Sequence, residues 1–118
     1  MSDFRYREIT GDLFEVDESY YLAHCISADA KMGAGIAVAF KQNFGLEDIQ
    51  AKAKENQLEV GTCVQSGRIL NLITKQRYWD KPSYRDFALS LKNMKEIAVN
   101  QGIQKIAMPK IGSGLDKL

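Results

Sequence analysis

Apolar and polar positions along the chain divide it into short segments whose period switches between two and about 3.6. "FRYREIT" (Phe4–Thr10) is rich in aromatic and β-branched residues and stops at Gly11-Asp12, which predicts a strand and a turn. "YYLAHCIS" (Tyr20–Ser27) is almost wholly apolar between polar flanks, the pattern of a strand buried on both faces. The period then changes. In "GAGIAVAFKQNFG", Ile36, Phe40 and Phe44 form one stripe of a helix that Gly45 closes, and a second short helix is predicted over Leu46–Asn56. Glu59–Thr74 reads as an antiparallel pair with its turn at Ser66-Gly67. A longer helix starts at Ser83, with Asp86 three residues on in a capping-box arrangement. Its stripe is Phe87, Leu91, Met94 and Ile97 or Ala98, and Gly102 ends it. "KIAM" (Lys105–Met108) is a short strand, and Pro109 begins a terminal loop. Strands alternating with helices around one hairpin predict an α/β fold with a mixed sheet, in which ligands bind beyond the strand ends.

Composition narrows the class. The 118 residues suit a single domain spanning 1–118, 45% hydrophobic and 26% charged, without repeats or low-complexity segments. Sixteen Lys and Arg balance fifteen Asp and Glu for a net charge of +1, so no global field draws the protein to nucleic acid or anionic lipid. The basic stretch Lys75, Arg77, Lys81, Arg85 is interrupted by Asp80 and Asp86, so nucleic-acid binding is not expected as a primary role. The N-terminus lacks an apolar signal core and no run approaches the ~18 apolar residues of a membrane span. The expectation is a soluble intracellular monomer with Cys25 and Cys63 reduced. With one histidine, Cys and His alone cannot assemble a zinc site.

Three loops hold the residue types a phosphorylated ligand needs. In "SADAKMGAGIA" (Ser27–Ala37), Gly33 and Gly35 precede a helix N-terminus and would let the backbone approach a diphosphate. The dinucleotide fingerprint fails at its third glycine, where Val38 stands, and there is no P-loop. The alternative is a glycine-permitted turn into a helix. In "PKIGSGLD", Gly112 and Gly114 flank Ser113 with Asp116 just beyond; two such loops could clasp one diphosphate, and the alternative is a tail. In "LITKQR", Lys75 lies just past a buried strand with Arg77 nearby, and a partly desolvated lysine beside a second cation is a candidate nucleophile. Its alternative is an ordinary exposed lysine. His24 and Cys25 are adjacent on a strand, point to opposite faces and form no dyad. His24 is read as a satisfied buried imidazole, Cys63 has no candidate partner, and Trp79 is read as covering apolar surface rather than lining a ligand entrance.

Together "GDLF", "LAHCISADAKMGAGIAVAFK", "LITK", "KPSY" and "MPKIGSGLD", in this order and spacing, resemble one branch of the macrodomain family, the terminal ADP-ribose protein glycohydrolases and O-acyl-ADP-ribose deacylases. The resemblance covers essentially the whole chain. It implies a macrodomain-like three-layer α/β/α sandwich with a mixed sheet. It implies that Asp12 reads adenine with Leu13 giving a backbone contact, and that Ser27, Met32, Gly33, Ala34, Gly35 and Ile36 approach the distal ribose and diphosphate. Ile111, Gly112, Ser113, Gly114 and Leu115 would hold the phosphates from the other side. Lys75 would attack the anomeric carbon of the distal ribose and Asp116 would be the catalytic carboxylate, with no metal or cofactor. The implied partners are ADP-ribose, mono-ADP-ribosylated proteins and O-acyl-ADP-ribose, met inside the cell, and in the nucleus or cytoplasm if the source is eukaryotic. Members of the branch continue with a helix and a final strand, whereas this sequence ends at Leu118. The expectation is therefore a domain lacking both, with part of the adenine pocket open, and a non-catalytic ADP-ribose reader is the alternative to a hydrolase.

Overall fold

The computed structural model describes residues 17–31 and 36–109; the strand expected at Phe4–Thr10 and its turn lie outside them. Strand β1 is Tyr21–Ser27, with Leu22, Ala23, His24, Ile26 and Ser27 buried, as its apolar run requires. Helix α1 (Ile36–Phe44) ends at Gly45, whose φ of 81° is a left-handed turn that glycine adopts without cost. Helix α2 (Glu47–Lys54) begins with Glu47 and Asp48 and finishes with Lys52 and Lys54, the charge order that its backbone dipole favours.

Strands β2 (Thr62–Ser66) and β3 (Ile69–Lys75) form the expected antiparallel pair. Their loop is Gly67-Arg68, one residue later than Ser66-Gly67. Ser66 pairs with Ile69 in the ladder, and the positive φ of 58° falls on Gly67. The hydroxyl of Ser66 turns instead to Asp48, 2.7 Å and 2.9 Å from its carboxylate oxygens. β2 also starts at Thr62 rather than Glu59, because residues 59–61 turn. Thr62 Oγ1 donates to the Glu59 carbonyl at 2.6 Å, and Gly61 N donates to the Ile73 carbonyl at 2.8 Å.

Helix α3 (Tyr84–Gln101) is capped as its sequence predicts: Ser83 Oγ accepts from Asp86 N at 3.0 Å, and Gly102 ends it at φ 66°. Its fully buried line is Ser90, Met94 and Ala98, with Phe87, Leu91 and Ile97 half-buried on either side. The buried line thus includes a serine that the apolar pattern passes over. Ser90 is accommodated because its hydroxyl donates to the Phe87 carbonyl at 2.8 Å. Strand β4 is Ile106–Ala107, within the expected Lys105–Met108.

The sheet order is β2-β3-β1-β4, with β3 and β4 parallel to β1 and β2 antiparallel to β3, so the sheet is mixed. Period two divides the strand side chains between two cores. Leu22 and Ile26 of β1 and Ile69 and Ile73 of β3 pack with Phe40, Leu46 and Ile49 from the α1 and α2 side. Ala23, Leu70, Leu72 and Cys63 pack with Met94, Phe87, Leu91 and Ile97 of α3. The three layers follow from that alternation, each buried large apolar side chain contributing about 1.5–3 kcal/mol. Because β1, β3 and β4 are parallel, the chain leaves all three at one edge of the sheet.

Candidate functional site

At that edge the ladder between β1 and β3 slips. Ile26 pairs with Ile73 but Ser27 pairs with Lys75, leaving Thr74 as the extra residue. Such a bulge re-aims the chain at a strand end. It brings Ser27 and Lys75 side by side, with Ala28 N donating to the Lys75 carbonyl at 2.8 Å. Lys75 Nζ donates to the Tyr78 carbonyl at 2.9 Å.

Asp29 joins the loops that follow the two strands. Its Oδ1 accepts from Ser27 Oγ and, at 3.1 Å, from Lys31 N; its Oδ2 accepts from Tyr78 N at 3.0 Å. Partial burial pushes the Asp29 carboxyl up. The hydrogen bonds from Ser27, Lys31 N and Tyr78 N, with the Lys31 charge, outweigh that and hold it below the ordinary carboxylate value. The loop after β3 is further closed by Asp80, whose Oδ2 accepts from Arg77 N at 3.0 Å while its own N donates to the Arg77 carbonyl at 3.0 Å. A shallow, mostly polar depression of about 520 Å3 lies here, between Lys75 and Asp80 on one side and Ser83 and Asp86 at the start of α3 on the other.

The Arg77 guanidinium sits 5.8 Å from the Trp79 ring centroid in a cation–π contact. One expectation needs correction. Trp79 does not cover the core: it is 67% exposed, and its ring contact is with the likewise exposed loop residue Tyr78, edge-on with centroids 5.0 Å apart. Trp79 lies within the turn that Arg77 and Asp80 close, on an exposed loop rather than over a core.

Behind Ser27, His24 lies fully buried, stacked on Phe40 at 3.9 Å. Asn71 Nδ2 donates to the Val64 carbonyl at 3.0 Å, which leaves Asn71 Oδ1 to accept, at 2.7 Å, from His24 Nε2. His24 therefore carries its proton on Nε2. Burial pushes its pKa down to about 4, with the Asn71 bond opposing the shift. Only half of the expected satisfaction is met, since buried Nδ1 has no partner among the described residues.

Residues 23–118 match the family model described as Macro domain. The chain belongs to the Macro domain family. It is 43% identical over 111 residues to human "ADP-ribose glycohydrolase OARD1", covering 93% of this chain and 73% of that protein, and 42% identical to the Bos taurus protein of the same name over the same shares. These relatives support the glycohydrolase branch of the macrodomains that the motifs resemble. Among solved structures, the fold is similar to the macrodomain of Mycobacterium tuberculosis DarG (TM-score 0.79, 21% identity, 97% of this chain and 81% of that one). It is similar also to that of Thermus aquaticus DarG (0.80, 21%, 90% and 76%). A third match is Thermosipho africanus DarTG in complex with ADP-ribose (0.71, 23%, 92% and 33%).

Of the residues expected to form this macrodomain's site, the structure brings together Ser27 and Lys75, and Ile36 is the first residue of α1. Ser27 is buried with its hydroxyl committed to Asp29. Asp12, Leu13, Met32, Gly33, Ala34, Gly35, Ile111, Gly112, Ser113, Gly114, Leu115 and Asp116 lie outside the described residues. Sequence reasoning missed Asp29 and Asn71. Asn71 had a signal: it is the one polar residue in the middle of "ILNLIT", a strand pattern that demands a buried partner. Asp29 had a weaker one, the Ser-x-Asp spacing at a strand end, where Asp commonly accepts from nearby backbone N–H groups. Among the described residues no three His, Cys, Asp or Glu are grouped as a metal site requires, and no helix is long and apolar enough to cross a membrane.

Proposed function

We propose that this macrodomain is an ADP-ribose-binding hydrolase that removes mono-ADP-ribose from protein glutamate esters and deacylates O-acyl-ADP-ribose. The observation that carries this reading is the 43% identity, over 93% of the chain, to a protein named ADP-ribose glycohydrolase. The placement of Lys75 beside Ser27 at the edge where parallel strands end supports it. Lys75 is the nucleophile and Asp116 the acid/base. The amine attacks the anomeric carbon of the distal ribose, the bond to the glutamate oxygen breaks, and the carboxylate leaves. The adduct opens to an iminium, water adds to it, and the amine is expelled with ADP-ribose as product. Asp116 takes the proton from the attacking group and returns it to the leaving one. The partners on this reading are mono-ADP-ribosylated proteins and O-acyl-ADP-ribose, met by a monomer inside the cell.

A second reading, an ADP-ribose reader without turnover, draws on the engagement of Lys75 Nζ with the Tyr78 carbonyl and of Arg77 with Trp79. Release of ADP-ribose from a glutamate-modified protein separates the two. The hydrolase releases it, and Lys75→Ala and Asp116→Ala abolish release while calorimetry still detects bound ADP-ribose. Wild-type-like release by both variants would falsify the assignment, and binding without turnover by the unaltered protein makes it a reader.

A further inference from the structure

We infer that Asp29 is a positioning residue for Lys75, acting through the loop after β3; the inference rests on the proposed role of Lys75 for its kinetic consequence but not for its structural one. Lys75 is the last residue of its strand, and its amine is oriented by a hydrogen bond to the Tyr78 carbonyl at 2.9 Å. The position of that carbonyl depends on where residue 78 is held. Asp80 closes residues 77–80 into a turn but binds it only to itself. Asp29 ties the turn to the rest of the fold, because its Oδ2 takes the Tyr78 N–H from a loop 49 residues away in sequence. The other carboxylate oxygen is fixed by Ser27 Oγ and Lys31 N, so both oxygens are committed and the carboxylate cannot rotate freely. The path runs from the end of β1, through Asp29, to the backbone that orients the amine at the end of β3. Bonds that accept backbone N–H on a charged oxygen are about twice as strong as neutral ones. Asn in place of Asp29 keeps the size but supplies one acceptor oxygen and an NH2, so either the Tyr78 N–H or the Ser27–Lys31 pair faces a donor. Glu keeps both oxygens one methylene further out.

The test uses the full chain and two readouts, each beside a melting temperature. Reductive methylation with formaldehyde and cyanoborohydride, read by peptide mass spectrometry, reports the freedom of Lys75 relative to Lys92 on the exposed side of α3. Single-turnover release of ADP-ribose and calorimetry with free ADP-ribose report chemistry and binding. In Asp29→Asn, Lys75 labelling rises severalfold against Lys92, kcat falls by about 100-fold from misplacement of the amine, and affinity for ADP-ribose stays within about threefold. Asp29→Glu recovers part of both changes. Equal Lys75-to-Lys92 labelling in wild type and Asp29→Asn overturns the inference whatever the turnover. If the unaltered protein releases no ADP-ribose, the proposed hydrolase fails, and the labelling ratio alone decides for or against Asp29. A parallel rise at both lysines with a collapsed melting temperature marks Asp29 as merely structural and also overturns it.

Discussion

His24 and Asn71 stand opposite each other on β1 and β3, and His24 Nε2 donates to Asn71 Oδ1 at 2.7 Å in the middle of the sheet. The neutral imidazole is what the site tolerates, since burial lowers its pKa to about 4. An unfolded histidine titrates near ~6.5, so between these values the unfolded chain binds a proton that the folded chain refuses. Stability is therefore full above the unfolded pKa and declines as pH falls toward 4, by roughly 3 kcal/mol at most. Urea melts at several pH values between 7 and 4.5 check this. His24→Gln flattens the dependence in that window, and because the chain has one histidine no other imidazole contributes.

Removing the partner alone is costly. Asn71→Leu strands the buried His24 Nε2–H, and an unpaired buried donor costs about 1–3 kcal/mol. The double variant His24→Leu, Asn71→Leu loses less than the sum of the singles, as a double-mutant cycle in denaturant will reveal.

Burial pushes the thiols of Cys25 and Cys63 up to about 12. Both stand opposite Leu72, one on either side of β3, so they are separated by two strand spacings of about 4.8 Å, too far for a disulfide. Iodoacetamide at pH 8 labels neither in the native protein on the timescale that labels both in guanidinium, and no intramolecular disulfide forms under mild oxidation.

Two surface changes calibrate the fold. Ser83→Ala removes the hydroxyl that caps α3 and costs about 1 kcal/mol. Trp79→Ala changes stability by less than about 0.5 kcal/mol, because the indole is mostly in solvent. Chemical denaturation of both distinguishes them.

The layered fold was legible because burial imposes period: "YYLAHCIS" and "ILNLIT" could only be strands covered on both sides, and Ser83 and Gly102 bracket α3 by chemistry that acts over a few residues. Where the sequence misled, the deciding interaction was long-range or a matter of one register step. Ser66 joins the ladder since Gly67 takes the positive φ, and Ser90 belongs to the buried line of α3 because a local carbonyl satisfies its hydroxyl. At the candidate site, the positions of Lys75 just past an apolar run and of Ser27 at the end of another are legible from the pattern, and the structure sets the two side by side. Asp29 is not legible in this way, since its importance comes from accepting the N–H of Tyr78 across 49 residues, which no local pattern encodes. The packing of Arg77 onto Trp79 depends on side-chain choices at an exposed loop and leaves no trace in hydrophobic periodicity.

The central claim is that Lys75 is the group that reacts with the distal ribose. Brief incubation with ADP-ribose followed by borohydride, which reduces an imine to a stable secondary amine, and mass spectrometry of the digested protein test it most directly. The account predicts one ADP-ribose-derived adduct on the peptide containing Lys75, lost in Lys75→Ala. An adduct of equal yield in Lys75→Ala, or one confined to other lysines while ADP-ribose release proceeds, contradicts it.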